Sequence, residues 1–527
     1  MNDQSLFAAL RAAFPANLDS VAIETADGPA GQPFTPQHYT WRDLERGTAM
    51  LANLLAGLAL PPASRIAVQV DKSVEALMLY LAVLRAGHVF LPLNTAYQAA
   101  EIEYFIGNAE PAVVVCTPKN FAWVSRLAFS SGVGHVFTLG DDRSGSLLER
   151  ASHCSDQHKP VPKQADELAA ILYTSGTTGR SKGAMLSHGN LLSNARTLQS
   201  YWGWRSAREG GDVLIHALPI FHVHGLFVAS HGALLNGSRM IWFNRFDPAA
   251  VIARLPEATV FMGVPTLYVR LLADARLDRD ACRTMRLFIA GSAPLLAETF
   301  HAWEQRTGHT ILERYGMSET VMLTSNPYHA VEGERRAGTV GFPLPGVSVR
   351  VIDPARPGQP LPAGEIGGIE VKGPSVFAGY WRMPEKTQEE FTADESGDRW
   401  FKTGDVGRFD ERGYLTIVGR SKDLIISGGY NVYPAEIEGF INEMPGVAES
   451  AVVGLPHPDF GEGVIAVIVP KPGATLDPAA VVGALKGCIA NFKVPKQVFV
   501  VPELPRNAMG KVQKNLLREQ HQGLFAR

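Results

Sequence analysis

Apolar positions in the first third of the chain alternate between short β-branched runs and longer helical ones. Residues 65–70 (RIAVQV) read as a strand. Asp71 and Ser73 then offer N-cap oxygens for a helix over Val74–Arg85, which Gly87 is placed to end. That helix (VEALMLYLAVLR) is apolar almost all round, so it is predicted to be covered on every side. Residues 89–93 and 111–116 read as the next strands, and strand–helix–strand at this spacing predicts βαβ units in a largely parallel sheet. The pattern recurs at 169–173, 213–217, 259–263 and 287–290, each followed by a helical stretch. After Gly341 the texture changes to short alternating runs (VSVRVID, GGIEVKG, GYLTIVGR) broken by Gly and Pro, which predicts a β-rich subdomain. A helix opening at Pro434 (PAEIEGFINEM) places Ile437, Phe440, Ile441 and Met444 on one face, and strand-like runs follow at 451–454 and 464–469. Roughly the last hundred residues thus form a compact second domain.

Composition narrows the class. With 46% hydrophobic and 19% charged residues the chain is an ordinary globular one, and 527 residues exceed a single core. Forty-nine Lys and Arg against 52 Asp and Glu leave a net charge of -3, without the basic excess of a nucleic-acid binder. The four cysteines, Cys116, Cys154, Cys282 and Cys488, form no CxxC pair, which argues against a disulfide framework or zinc site and fits a reducing compartment. No apolar run reaches ~18 residues and the N-terminus lacks secretory character, so a cytoplasmic enzyme without membrane or nucleic-acid partners is expected.

The most informative stretch is YTSGTTGRSKG at 173–183, a strand feeding a Ser/Thr/Gly loop with one lysine before the N-cap candidate Ser187. Small residues let backbone N–H groups converge on an anion, and Lys182 adds charge. The spacing is not that of a Walker A loop, and composition alone leaves a plain flexible loop as an equal reading. Further motifs follow in order: YGMSE at 315–319, KTGD at 402–405, GRSKD at 419–423, SGGYNV at 427–432 and NAMGK at 507–511. Together, over about residues 40–515, they resemble the adenylate-forming superfamily of acyl-CoA synthetases, luciferase-type ligases and adenylation domains.

The resemblance implies an α/β fold. It comprises a large N-terminal domain over residues 1–421, built of two stacked αβ sheets plus a β-rich subdomain, and a small mobile α/β C-terminal domain over 422–527. It also implies a two-step reaction, in which ATP and a carboxylate give an acyl-adenylate, and the thiol of coenzyme A then displaces AMP. Lys511 would bridge carboxylate and phosphate during adenylation. Glu319, with Thr174, would hold Mg²⁺, and Asp405, assisted by Arg420, would hold the ribose. Thr174, Ser175, Gly176, Thr177, Thr178 and Lys182 would cradle phosphates. Gly291, Ser292, Ala293 and the run Glu313, Arg314, Tyr315, Gly316, Met317, Ser318 would complete the ATP site. Lys422 takes the hinge position, and Gly428, Gly429 and Tyr430 line the CoA channel.

For the acid, FHVHG, GVPTLYVR, GSAPL and ERYGMSET look most like the malonyl-CoA synthetase branch. Fatty and aromatic pockets need no cation, whereas a second carboxylate does. Arg270 is the first candidate for that role and Arg314 the second, with His222, Ser292 and Met317 as pocket residues. His222 and His224 could share a strand face as metal ligands, but no third ligand stands at suitable spacing. Malonate, with methylmalonate beside it, is the expected acid. The alternatives are another short-chain, medium-chain or aryl acid:CoA ligase, or a nucleotide-binding paralogue without catalysis. A lysine acetyltransferase and deacetylase are further expected partners at Lys511, since acetylation removes the charge.

Overall fold

The computed structural model describes residues 3–28, 34–174, 181–206, 210–353, 356, 358–428, 430–507 and 510–525. They divide into two compact units. The first comprises Met1–Ala337, Gly341–Ser348 and Lys372–Glu389, and the second Gly338–Val340, Val349–Val371 and Glu390–Arg527.

In the first unit the helix Val74–Arg85 forms as its sequence dictates. The Ser73 side chain accepts from the Ala76 N–H, Gly87 takes a positive φ just beyond the end, and every helix residue is buried. The flanking strands Arg65–Gln69 and Val89–Pro92 pair in parallel, Ile66 opposite Phe90, and Val113–Cys116 adds on the other side. They belong to a seven-stranded sheet in the order Gly379–Tyr380, Lys182–Ser187, Leu168–Thr174, Val89–Pro92, Arg65–Gln69, Val113–Cys116, His135–Thr138. One expectation changes here. After Leu168–Thr174 the chain folds back as the antiparallel strand Lys182–Ser187 before the helix His188–Tyr201, which Ser187 caps through the Asn190 N–H. Half-buried KGAMLS is too short for its period to be read apart from the helix that follows.

A nine-stranded sheet runs in the order Phe342–Pro343, Val321–Ser325, Ile311–Met317, Leu287–Ala290, Val260–Gly263, Val213–His216, Arg239–Trp242, Val21–Thr25, His38–Thr40. The strands from Ile311–Met317 to Val21–Thr25 are mutually parallel, so their carboxyl ends leave one edge, where open α/β sheets bind ligands.

The second unit contains the anticipated β-rich sheet (Ser348–Ile352, Gly367–Lys372, Arg399–Phe409, Phe391–Ala393, with Leu415–Arg420) and a further sheet of Tyr430–Val432, Ile425–Ser427, Gly461–Pro470, Val447–His457 and Gln497–Val500. Residue 421/422 therefore lies inside this unit, and Arg518 of the last helix pairs with Asp423 at 2.9 Å. The helix Pro434–Asn442 buries Ile437 and Ile441, four residues apart, but Phe440 is exposed, contrary to the face expected. A helical stripe this narrow buries the i, i+4 pair and leaves its neighbour at the margin. Among the described residues no helix is long and apolar enough to cross a membrane.

Ile441→Ala should cost about 2–5 kcal/mol in urea unfolding, and Phe440→Ala about 0.5 kcal/mol or less. Equal losses would contradict this packing.

Candidate active site

The loop motif spans a hairpin in the first unit. Thr174 stands opposite Lys182 across the two strands, and its Oγ1 donates to the Lys182 carbonyl at 3.4 Å. Ser175, Gly176, Thr177 and Thr178 lie outside the described residues. Gly379–Tyr380 pairs with the second hairpin strand, Tyr380 opposite Ala184. The Lys182 ammonium lies 4.5 Å from the centre of the Tyr380 ring, and the Tyr380 hydroxyl donates to Glu319 Oε1 at 2.9 Å. One phenol thus joins a cation to a carboxylate only 5% exposed. Glu319 and the Thr174 hydroxyl are hard oxygen donors. Among the described residues no three His, Cys, Asp or Glu form a metal cage. One carboxylate, one hydroxyl and substrate phosphates are the donor set Mg²⁺ prefers, so these residues fit that ion.

The strand Leu287–Ala290 leads into Gly291 and Ser292 at the carboxyl edge of the parallel sheet. Ser292 is held at φ 71°, a costly conformation for a residue with a Cβ. The next strand carries Glu313, opposite Ala290, and then Arg314. A Cβ on Gly291 would fall 2.5 Å from Arg314 Nη1, so only glycine admits the guanidinium there. Arg314 is 2% exposed, and its Nε and Nη2 have no hydrogen-bond partner among the described residues. Burial pushes it down to about 9. Ser292 Oγ lies 3.4 Å from Nδ1 of His224, which is buried with no partner for Nε2 among the described residues. Burial, and then the Arg314 charge, hold His224 well below the usual imidazole range, so it is neutral. Glu313 accepts from the Leu295 N–H at 3.0 Å, and burial raises its carboxyl to about 8.

Tyr315, Gly316, Met317 and Ser318 are partly buried, and Ala293 is exposed. Arg270 is exposed on the helix Pro265–Leu272, in contrast to Arg314. His222 is partly buried against Phe221. The two histidines do not share a strand face: the strand ends at His216, and His224 opens the π-helix His224–Ser230. Sequence reasoning missed Tyr380 and assigned His224 no pocket role; the signals were the aromatic in FAGYW and the second histidine of FHVHG.

The remaining predicted residues lie in the second unit. Asp405, 3% exposed, pairs with Arg420 Nε at 2.6 Å across adjacent strands. Lys422 is exposed in the short turn Ser421–Asp423. Gly428 has φ 59° and donates to the Phe460 carbonyl, and Tyr430 stacks on Phe492 at 4.6 Å; Gly429 is outside the described residues. Lys511 is exposed, with its backbone bound to Asn507 at both ends (N to Oδ1 3.0 Å, O from N 2.9 Å) and Gly510 at φ 75°.

A hairpin bearing Thr174 and Lys182, a buried carboxylate that fits Mg²⁺ and a buried cation beside a strained serine are features suited to a nucleotide-dependent enzyme acting on an anion. Comparisons with known proteins agree. Residues 17–381 match the AMP-binding enzyme family, and residues 436–511 match the AMP-binding enzyme C-terminal domain. The chain therefore belongs to the AMP-binding enzyme family, within the adenylate-forming superfamily. It is 36% identical to the malonate–CoA ligase of Arabidopsis thaliana over 490 residues, covering 86% of this chain and 78% of that protein. It is 34% identical to the mitochondrial malonate–CoA ligase ACSF3 of Homo sapiens, covering 82% and 78%. ATP-bound MatB from Rhodopseudomonas palustris superposes with TM-score 0.93 at 53% identity, over 99% of this chain and 100% of that one.

Folded Glu313 keeps its proton up to about pH 8, whereas a free glutamate releases it near 4.5. Between those values the folded state binds the extra proton, so this residue lowers stability as pH rises. The Tm of Glu313→Gln relative to wild type should therefore climb from pH 5 to pH 8 by thermal shift; a flat difference would contradict the burial argument.

Proposed function

We propose that this protein is an AMP-forming acid–CoA ligase that joins malonate, and methylmalonate beside it, to coenzyme A at the expense of ATP. One observation carries the choice of acid: the Arg314 guanidinium is buried with two nitrogens unpartnered among the described residues. A buried cation left short of partners is costly, and an acid with a second carboxylate relieves it through a charge-assisted contact. The malonate ligases among the relatives support the same reading.

In the first half-reaction a carboxylate oxygen of the acid bonds to the α-phosphorus and the bond to pyrophosphate breaks. In the second the CoA sulfur bonds to the acyl carbon and AMP leaves. Arg314, with Ser292, His222 and Met317, holds the distal carboxylate and turns the other toward phosphate; Arg270 is a second candidate for that contact. Neutral His224 adds an acceptor or donor without adding charge. The hairpin hydroxyls and Lys182 hold the phosphates, Gly291 to Ala293 and Glu313 to Ser318 wall the nucleotide, and Asp405 with Arg420 holds the ribose. Glu319 and Thr174 would hold Mg²⁺, which supplies charge neutralisation on the polyphosphate. The Tyr380 hydroxyl keeps the Glu319 carboxylate oriented.

Lys511 places its ammonium between the two anions during adenylation. The loop around Gly428, Gly429 and Tyr430 serves the thiol afterwards, with residues 422–527 turning about Lys422 between the steps. Acetylation of Lys511 by a lysine acetyltransferase, reversed by a deacetylase, would switch adenylation off. Unbridged cysteines support a cytoplasmic location.

Pyrophosphate release measured with acetate, butyrate, malonate, methylmalonate and benzoate should be highest with malonate; a higher kcat/KM with butyrate or benzoate would overturn the substrate. Lys511→Ala should lose adenylation yet still convert supplied malonyl-AMP and CoA to thioester. Loss of both half-reactions in a folded variant would contradict its role.

A further inference from the structure

Behind the acid pocket lies a buried polar relay that the reaction as described does not use. Lys72 follows the strand Arg65–Gln69 of the seven-stranded sheet, is 9% exposed, and reaches the carboxyl ends of two strands of the nine-stranded sheet. Its ammonium donates to the His216 carbonyl at 2.8 Å, the Phe243 carbonyl at 2.6 Å and His216 Nδ1 at 2.9 Å. Those three acceptors match its three N–H donors, and the Trp242 ring faces it at 4.3 Å.

His216 Nε2 lies 3.0 Å from both the Gly225 carbonyl and Ser230 Oγ, and the Ser230 hydroxyl itself donates to Gly225 O at 2.9 Å. A carbonyl can only accept, so the Gly225 oxygen beside Nε2 places the ring proton there and leaves Nδ1 of the neutral imidazole as the acceptor for Lys72. Gly225 is the second residue of the π-helix His224–Ser230. Extra donors aimed at one carbonyl are a physical cause for such a widened turn. The loop also doubles back so tightly that a Cβ on Gly225 would fall 2.0 Å from the Pro219 carbonyl. Both ends of the segment 216–225 are thus fixed by a single imidazole, and that segment carries His222 and His224, the latter 3.4 Å from Ser292.

We infer that Lys72 and His216 are positioning residues for acid recognition: Lys72 holds His216 at Nδ1, His216 holds the π-helix, and the π-helix sets His224 against Ser292 beside Arg314. This rests on the assignment of that pocket to the acid. Neither residue touches substrate, so their loss moves acid binding more than nucleotide binding or turnover.

The test measures kcat, KM for the acid and KM for ATP in Lys72→Met, His216→Leu and His216→Gln, using whichever acid the wild type turns over best. Lys72→Met and His216→Leu should raise the acid KM at least tenfold, with kcat and the ATP KM within threefold of wild type. His216→Gln keeps an N–H near the Nε2 position and should return the acid KM to within threefold. An unchanged acid KM in Lys72→Met or His216→Leu, a proportional change in all three constants, or no rescue by glutamine would overturn the relay. If Lys72→Met does not fold, the His216 pair decides alone. Wild type that turns over another acid instead of malonate sinks the substrate reading and leaves the relay to be judged with that acid.

Discussion

The constraint on which the site depends is an arginine that the fold buries and does not satisfy. Arg314 lies against the bare backbone of Gly291, at the carboxyl edge of a parallel sheet, with two guanidinium nitrogens lacking partners among the described residues. Glu313 beside it in the chain does not compensate, because its own burial raises it to about 8 and keeps it largely protonated at neutral pH. A guanidinium cannot shed its charge as a buried amine can, so the arrangement is most stable when an anion arrives. Exposed Arg270 carries no comparable penalty, which is why the burial pattern favours Arg314 for the distal carboxylate.

The same edge gathers the rest of this half of the site. Ser292 in its left-handed conformation and the segment that begins at His216 leave the carboxyl ends of two parallel strands that flank Val260–Gly263. On the other sheet the Thr174–Lys182 hairpin brings its lysine over Tyr380, whose hydroxyl in turn fixes Glu319. Around Arg314 the buried titratable groups His224 and Glu313 are held neutral, whereas Lys182 and Glu319 meet at Tyr380 as a cation and a carboxylate.

How far this was legible differs by element. The helix Val74–Arg85 could be read residue by residue, because its cap, its apolar surface and its terminating glycine are all local signals. The Ser/Thr/Gly motif stood out by its composition, but the return strand after it was absorbed into the following helix. Phe440 was placed on the buried face because period alone does not give the width of a stripe. Tyr380 with Glu319, 61 residues apart, and Lys72 with His216, 144 apart, were invisible, since no periodicity encodes a contact made by folding two sheets. The π-helix escaped for the same reason: its cause is an imidazole supplied from outside the segment.

The most direct test of the central claim compares the malonate-to-butyrate ratio of kcat/KM in wild type and in Arg314→Met, an apolar side chain of similar length. A charge-assisted contact worth about 1.5–3 kcal/mol predicts that the ratio falls by about 10- to 150-fold. A folded variant active on butyrate with its preference for malonate intact would contradict the account.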